Sequence, residues 1–199
     1  MPRAALSADR VDETASLADA EVVARVRAGD VAAFEGLYAT YRRPLWKFAY
    51  HYVQSSAAAE DVVQTVFATL WERRAAWSVS ASIKLWLYGA VRNQALNYRR
   101  HAAVVRRVED AAGGTSLVVG EAPPRPDVAL EASALTATLR AAVAALPERT
   151  RLALTLRWHH ELGYAEIGQV LGVSTAAAHK QVAKAERALR PLLEAVRHS

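Results

Sequence analysis

The chain has 199 residues, of which 52% are hydrophobic and 23% are charged, a balance typical of globular rather than disordered proteins. It contains no cysteine, which excludes a disulfide framework and thiolate metal sites and suits a reducing cytosol, so we expect a cytoplasmic protein. No run approaches the roughly 18 apolar residues that a membrane span needs, so we expect no membrane insertion, and the net charge of +5 favours anionic partners.

The first half of the chain predicts four helices. Residues 1–21 have mixed charge and no apolar segment, and we expect a mobile tail there. A short helix over 22–28 ends at Gly29, and apolar residues spaced three or four apart predict a second helix over 31–53. A third helix is predicted over 57–77. A serine-rich break over 78–82 separates it from a fourth helix over 83–107.

Positive charge is concentrated in the span from Arg73 to Val108. This span holds eight of the chain's 25 Lys and Arg residues, four interleaved Trp or Tyr residues, and no Asp or Glu. Cations hold a phosphate backbone and flat rings stack on unpaired bases, so the pattern favours binding of a nucleic-acid strand. A solvated, arginine-rich helix surface is the simpler alternative, but the aromatic residues and the missing acids weigh against it.

Glycine, proline and acidic residues without periodicity predict an extended linker over 109–131. The linker divides the chain into two small helical domains, over 22–108 and 132–199. In the second domain, helices are predicted over 132–146, 148–160, 164–171 and 175–196. The predicted fold class is therefore all-α.

The segment from Tyr164 to Leu189 predicts a helix-turn-helix motif. A short helix, Gly172 at the turn and a longer helix capped by Ser174 have the required spacing. The residues expected to pack between the two helices are Ile167, Leu171, Val173, Ala178 and Val182, with Gly168 where the helices cross closely. The second helix would turn Thr175, His179, Lys180 and Lys184 outward. A plain helical hairpin is the alternative, but the turn, the cap and the outward bases together favour DNA binding.

Motifs for catalysis and for metal binding are absent from the sequence. His159, His160 and Glu161 do not complete a zincin motif because residue 164 is Tyr, and we expect them at the surface at a helix end. There is no phosphate-binding glycine loop of either common type and no nucleophile elbow. We therefore expect no enzymatic activity, no cofactor, no metal and no small-molecule substrate.

Five short motifs follow one another between residues 22 and 196. They are Gly29-Asp30-x-x-Ala33-Phe34 followed by Tyr38; Glu60-Asp61-Val62-Val63-Gln64-x-x-Phe67; Trp86-Leu87-Tyr88 with Arg92-Asn93; Leu146-Pro147-Glu148-Arg149; and Tyr164-x-Glu166-Ile167 leading into Leu171-Gly172-Val173-Ser174. In this order they resemble the extracytoplasmic-function (ECF) sigma factors, the minimal two-domain class of bacterial sigma factors. The resemblance implies a protein that binds core RNA polymerase, directs it to promoters and helps to melt them, with residues 22–108 as region 2 and residues 132–199 as region 4.

The resemblance also implies roles for particular residues. Periodicity alone would leave the polar face of the third helix as solvated surface, but the family docks this block on the polymerase: Asp61, Val62, Gln64, Thr65, Phe67 and Trp71. The minus-ten strand would be held by Trp77, Trp86, Asn93, Asn97, Arg99 and Arg100, with Trp77 as a stacking plane and Asn93 reading a flipped base. The minus-thirty-five duplex would be contacted by Arg157, Ser174, Thr175, His179, Lys180 and Lys184. His179 and Gln181 stand where family members often have a basic residue.

The partners implied by the resemblance are core RNA polymerase, promoter DNA and an anti-sigma factor. The linker would thread toward the active cleft of the polymerase. Two other functions stay open at this point. One is a helix-turn-helix regulator that acts independently of core polymerase, and the other is a sigma-like protein that only binds an anti-sigma factor.

Overall fold

The computed structural model describes residues 17–79, 82–111 and 134–197. In these ranges the regular structure consists of eight α-helices and one 3-10 turn, with no strand. The described residues fall into two compact units, one formed by residues 17–111 and the other by residues 134–197. The all-α prediction is confirmed. Within these ranges, no helix is long and apolar enough to cross a membrane.

The first unit contains four helices: α1 (17–27), α2 (Val31–Val53), α3 (Ser56–Glu72) and α4 (Ile83–Ala111), with a 3-10 turn at Arg74–Ala76. Helix α2 has the predicted bounds. Helix α1 includes residues 17–21, which the sequence analysis placed in the tail. Helix α3 ends at Glu72 rather than at residue 77, because the backbone leaves helical geometry at Arg73 and the following turn places Trp77 in the core.

The core of the first unit lies between α2, α3 and α4, which pack against one another. Phe48, Val63 and Leu87 are completely buried there. Tyr88 of α4 meets Phe48 of α2 edge to face, with 5.1 Å between ring centroids. Burial, and secondarily the nearby Tyr41, raises the pKa of Tyr88 above its usual value. The apolar face that the sequence predicted for α2 forms part of this core.

Gly29 and Asp30 make the turn between α1 and α2. Gly29 has a φ of +85°, a left-handed conformation that favours glycine. The Asp30 carboxylate accepts a hydrogen bond from the Ala33 N–H at 3.0 Å and another from Arg25 Nε at 2.8 Å. These donors lower the pKa of Asp30. The first of the five motifs therefore has a structural role as a helix cap.

The second unit contains α5 (Ala134–Ala145), α6 (Glu148–Trp158), α7 (Tyr164–Leu171) and α8 (Thr175–Arg197). Helix α8 packs against the other three helices. Leu146, Leu154, Ala185 and Leu189 form one buried cluster of this unit.

The loop after α6 differs from the sequence prediction. Helix α6 ends at Trp158, and His160 is buried at 7% exposure, so its expected place at the surface is wrong. The physical reason is a sharp turn after α6, which directs the chain back toward the helix. Glu161 has a φ of +55°, and the Leu162 N–H donates a hydrogen bond to the Leu156 carbonyl at 3.0 Å. His159 and Glu161 are exposed, as expected.

Parts of four predictions lie outside the described residues. They are residues 1–16 of the N-terminal tail, residues 80 and 81 of the serine-rich break, residues 112–131 of the linker, and residues 132 and 133 of the helix predicted over 132–146. Residues 109–111, which the sequence analysis placed at the start of the linker, are the helical end of α4.

Candidate polymerase and nucleic-acid interfaces

Helix α3 has one buried face and one exposed face, and the residues predicted to dock on the polymerase divide between them. Asp61, Gln64 and Thr65 are exposed, whereas Val62 and Phe67 are 1% and 2% exposed. A side chain that is fully inside the core cannot meet a partner directly. Val62 and Phe67 therefore hold α3 in the core and leave its polar face outward, which corrects the sequence prediction for these two residues.

Trp71 lies at the C-terminal end of the same helix and is half-buried. Its ring contacts Phe34 of α2, with 4.8 Å between centroids. The guanidinium of Arg74 lies 4.5 Å from the centroid of the Trp71 ring and donates from Nη1 to the Trp71 carbonyl at 2.8 Å. A cation over an indole face is a favourable contact. This end of the α3 surface is consequently aromatic and cationic, and its middle is polar.

Four of the residues predicted for the minus-ten strand form one stripe along α4. Trp86, Asn93, Asn97 and Arg100 are seven, four and three residues apart, which places them on one helix face. The buried residues of this helix follow a separate face, at Ile83, Leu87, Tyr88, Val91 and Ala95. Asn93, Asn97 and Arg100 are exposed, and Trp86 is partly exposed. The fold therefore brings these four residues together on the outer side of α4, with the exposed Arg99 beside them.

Arginine side chains orient both amides of this stripe. Arg100 Nη2 donates to Asn97 Oδ1 at 2.7 Å, and Arg92 Nη1 donates to Asn93 Oδ1 at 3.4 Å. In each asparagine the amide oxygen accepts a hydrogen bond from a guanidinium, so the amide NH2 group of that asparagine can donate to another acceptor. A base edge and a neighbouring phosphate could thus be bound by one Asn–Arg pair.

Trp77 does not occupy the position expected of a stacking plane. Its side chain is 5% exposed, and its ring meets Trp86 at 67°, with 5.6 Å between centroids. An edge-to-face contact inside the core offers no open ring face to a base. Trp77 therefore supports Trp86, and Trp86 is the partly exposed ring at this end of α4.

The second unit contains the predicted helix-turn-helix, made of α7 and α8. Gly172 ends α7 with a φ of +66°, and Ser174 Oγ accepts from the Ala177 N–H at 3.2 Å as the cap of α8. A Cβ on Gly168 would lie 2.8 Å from the Val173 carbonyl oxygen, so glycine is required where the helices cross. Ile167, Ala178 and Val182 are completely buried, as predicted, and Val173 is half-buried. The turn, the cap and the close crossing are confirmed.

One ring connects two of the predicted minus-thirty-five contacts. The Arg157 guanidinium lies 5.3 Å from the centroid of the Tyr164 ring, and the His179 ring meets Tyr164 edge to face at 4.8 Å. Arg157 Nη1 also donates to the Leu162 carbonyl at 3.2 Å. The structure therefore groups Arg157 and His179, from α6 and α8, around Tyr164 at the start of α7. Thr175, Lys180 and Lys184 are exposed along α8.

Comparison with known proteins agrees with this geometry. The model of Sigma-70 region 2 matches residues 37–104, and the model of Sigma-70, region 4 matches residues 136–189. The chain belongs to the ECF sigma factors. As such it binds core RNA polymerase and directs it to promoter DNA for the initiation of transcription.

Individual sigma factors resemble this chain over most of its length. It is 29% identical to the RNA polymerase sigma-H factor of Pseudomonas aeruginosa, over 88% of this chain and 95% of that protein. It is 22% identical to the ECF RNA polymerase sigma factor SigW of Bacillus subtilis, over 86% and 94%.

Two solved structures share the fold. The sigma factor RpoE, in complex with the anti-sigma factor NepR from Bartonella quintana, has 22% identity and a TM-score of 0.58, covering 81% of this chain and 96% of its own. CnrH, in complex with the cytosolic domain of CnrY, has 22% identity and a TM-score of 0.61, covering 89% and 98%.

The sequence prediction left out two residues that lie beside the predicted minus-thirty-five contacts. Tyr164 entered the argument only as part of a motif, although its ring contacts both Arg157 and His179. Arg187 is exposed and lies seven residues after Lys180, hence on the same face of α8. The seven-residue spacing was a signal that the sequence carried.

Gln181 has a structural role in this chain. The Thr150 hydroxyl of α6 donates to Gln181 Oε1 of α8 at 2.6 Å, and Thr150 is 1% exposed. Gln181 therefore satisfies a buried hydroxyl. Among the described side chains, no group of three or more His, Asp or Glu residues could hold a metal ion.

Proposed function

We propose that this sigma factor divides promoter recognition between its two units. The first unit docks on core polymerase through α3 and captures the minus-ten strand along α4, and the second reads the minus-thirty-five duplex with α7 and α8. The observation that carries this proposal is the outer stripe of α4, formed by Trp86, Asn93, Asn97 and Arg100. A partly exposed ring, two exposed amides and a guanidinium in one row suit an unpaired strand.

The polymerase docks on the polar face of α3, through Asp61, Gln64 and Thr65, with the half-exposed Trp71 at its end. These side chains extend outward because Val62 and Phe67 fix the opposite face in the core. The docking surface is therefore built on a rigid helix, which limits the entropy lost on binding.

Along α4, Asn93 reads a flipped base, Trp86 supplies a stacking surface, and Asn97, Arg99 and Arg100 hold the strand beyond it. Each stacked base contributes about 1–3 kcal/mol, while unstacking a base costs a few kcal/mol. One or two captured bases are enough to favour an opening that the polymerase and supercoiling already assist.

In the second unit, α8 enters the major groove of the minus-thirty-five duplex. Thr175, His179, Lys180 and Lys184 are exposed along it, and Arg157 approaches from α6. Ser174 caps the helix, whose N-terminal N–H groups favour a phosphate.

The chain has no catalytic activity of its own in this proposal and works in the cytoplasm, where it meets the polymerase. An anti-sigma factor holds it inactive. Support comes from two proteins of the same fold, which were solved with NepR and with the cytosolic domain of CnrY.

Promoter-specific run-off transcription tests the proposal. Sequencing of transcripts after forced expression first maps the promoters, and the purified chain is then added to core polymerase on those templates. We expect transcription only when both are present. Tight binding to core without transcription would favour a protein that only sequesters an anti-sigma factor. Promoter binding without any affinity for core would favour an independent helix-turn-helix regulator.

A further inference from the structure

A hydrogen bond links helix α1 to the start of helix α4, between two residues that are 64 positions apart in the sequence. The Asp19 carboxylate, on α1, accepts from the Ile83 N–H through Oδ2 at 2.8 Å. Ile83 is the first residue of α4 and is 2% exposed. Asp19 belongs to the segment 1–21 that the sequence predicts to be a mobile tail. In the structure it caps another helix.

Asp19 and Ser82 together complete the first turn of α4. The first N–H groups of a helix have no partner within the helix. Ser82 Oγ accepts from the Leu85 N–H at 3.1 Å, and Asp19 satisfies the N–H of Ile83. A carboxylate also interacts favourably with the positive end of the helix dipole. The Asp19 side chain is partly buried, and burial, with the charge of Asp19 as the second cause, raises the pKa of Tyr41.

The outer stripe of α4, formed by Trp86, Asn93, Asn97 and Arg100, begins in this capped turn. Trp86 lies three residues after Ile83, and its N–H donates to the Ser82 carbonyl at 3.1 Å. The Trp86 ring is then held edge to face against Trp77. Any fraying of this turn moves Trp86, the stacking residue of the stripe, relative to Asn93 further along the same helix.

We propose that Asp19 is a positioning residue for capture of the minus-ten strand, so that α1 forms part of the melting apparatus. The inference rests on the proposed function, because it requires the α4 stripe to hold the strand. In this role Asp19 does not contact DNA itself. It acts by fixing the first turn of α4 and, through it, Trp86.

The test compares Asp19→Ala with Asp19→Asn in the full chain bound to core polymerase. The probe is a fork-junction DNA that carries the single-stranded minus-ten element of a mapped promoter. Replacing a capping carboxylate by Ala costs enough to weaken binding of this probe roughly two- to thirty-fold. Asn also accepts from a helix N–H and caps well, so Asp19→Asn is expected to retain most of the affinity. Glu21→Ala is the matched control, because Glu21 is an exposed acid on the same helix.

Two further measurements separate positioning from a general loss of folding. Affinity for core polymerase is expected to be unchanged by Asp19→Ala, and amide hydrogen exchange at Ile83 is expected to accelerate in the free protein. If Asp19→Ala weakens core binding and fork binding equally, or leaves both fork binding and exchange unchanged, the inference is overturned. If the wild-type holoenzyme fails to bind the fork probe, the assignment of α4 itself fails, and the inference fails with it. The two failures are therefore distinguishable.

Discussion

The Arg157 guanidinium lies over the Tyr164 ring, 5.3 Å from its centroid, and the His179 ring meets the same ring edge to face at 4.8 Å. Tyr164 thus holds two candidate DNA contacts that come from different helices. A cation–π contact at a partly exposed site contributes about 0.5–1 kcal/mol, and an aromatic pair contributes a similar amount.

Tyr164→Ala is expected to weaken minus-thirty-five binding about five- to twentyfold, because both neighbours lose their support. Tyr164→Phe keeps the ring and should stay within about twofold of wild type. Fluorescence anisotropy with the promoter duplex measures both, in the holoenzyme. Equal loss for the two variants would mean that the hydroxyl, rather than the ring, is responsible.

Asp61→Arg is expected to weaken binding to core polymerase by about tenfold or more, since reversing a charge at a complementary surface is costly. Asp61 is exposed, so the fold should tolerate the change. Glu35→Arg, at an exposed acid of α2, is the control for net charge. The measurement is the dissociation constant for core polymerase. Phe67→Ala is unsuitable for this purpose because Phe67 belongs to the core. If Asp61→Arg and Glu35→Arg weaken binding to core polymerase equally, α3 is not a specific docking surface.

Asn93→Ala is expected to lower open-complex formation about two- to tenfold, as the loss of one or two hydrogen bonds to a captured base predicts. Permanganate reactivity of unpaired thymines in the promoter measures the open complex. Binding to the minus-thirty-five duplex should remain unchanged, because that duplex is read by the other unit. A matching loss in both assays would contradict the division between the two units.

Replacing Lys180 and Lys184 together by Ala is expected to reduce the salt dependence of promoter binding. Each phosphate contact contributes about 0.9 to the slope of log affinity against log salt, so the slope should fall by about 1.8 in magnitude. Titrations of the holoenzyme at several salt concentrations give the slope. An unchanged slope would show that neither side chain meets a phosphate.

Gly168→Ala and Gly36→Ala should have opposite effects on stability. At Gly168 the new Cβ would lie 2.8 Å from the Val173 carbonyl oxygen, and overpacking of this kind costs about 1–3 kcal/mol. At Gly36, inside α2, nothing lies within 4 Å, and Ala should stabilise the first unit by about 0.5–1 kcal/mol. Urea denaturation of the two variants measures the difference. Stabilisation by Gly168→Ala would mean that the crossing of α7 and α8 can relax.

The sequence by itself determined the helices and the helix-turn-helix of this protein. Their signals are local: the apolar spacing along α2, the glycine at 172 and the serine cap at 174 act within a few residues of one another. The stripe of Trp86, Asn93, Asn97 and Arg100 along α4 also follows from the sequence, because side chains seven, four and three residues apart share a helix face. Only the tertiary structure decided what each face meets. It buried Trp77, brought Arg157 and His179 to the ring of Tyr164, and joined Asp19 to Ile83. Contacts between residues distant in sequence depend on how the helices pack against one another. The periodicity of a single helix shows which face is apolar but does not determine which residues of other helices that face contacts.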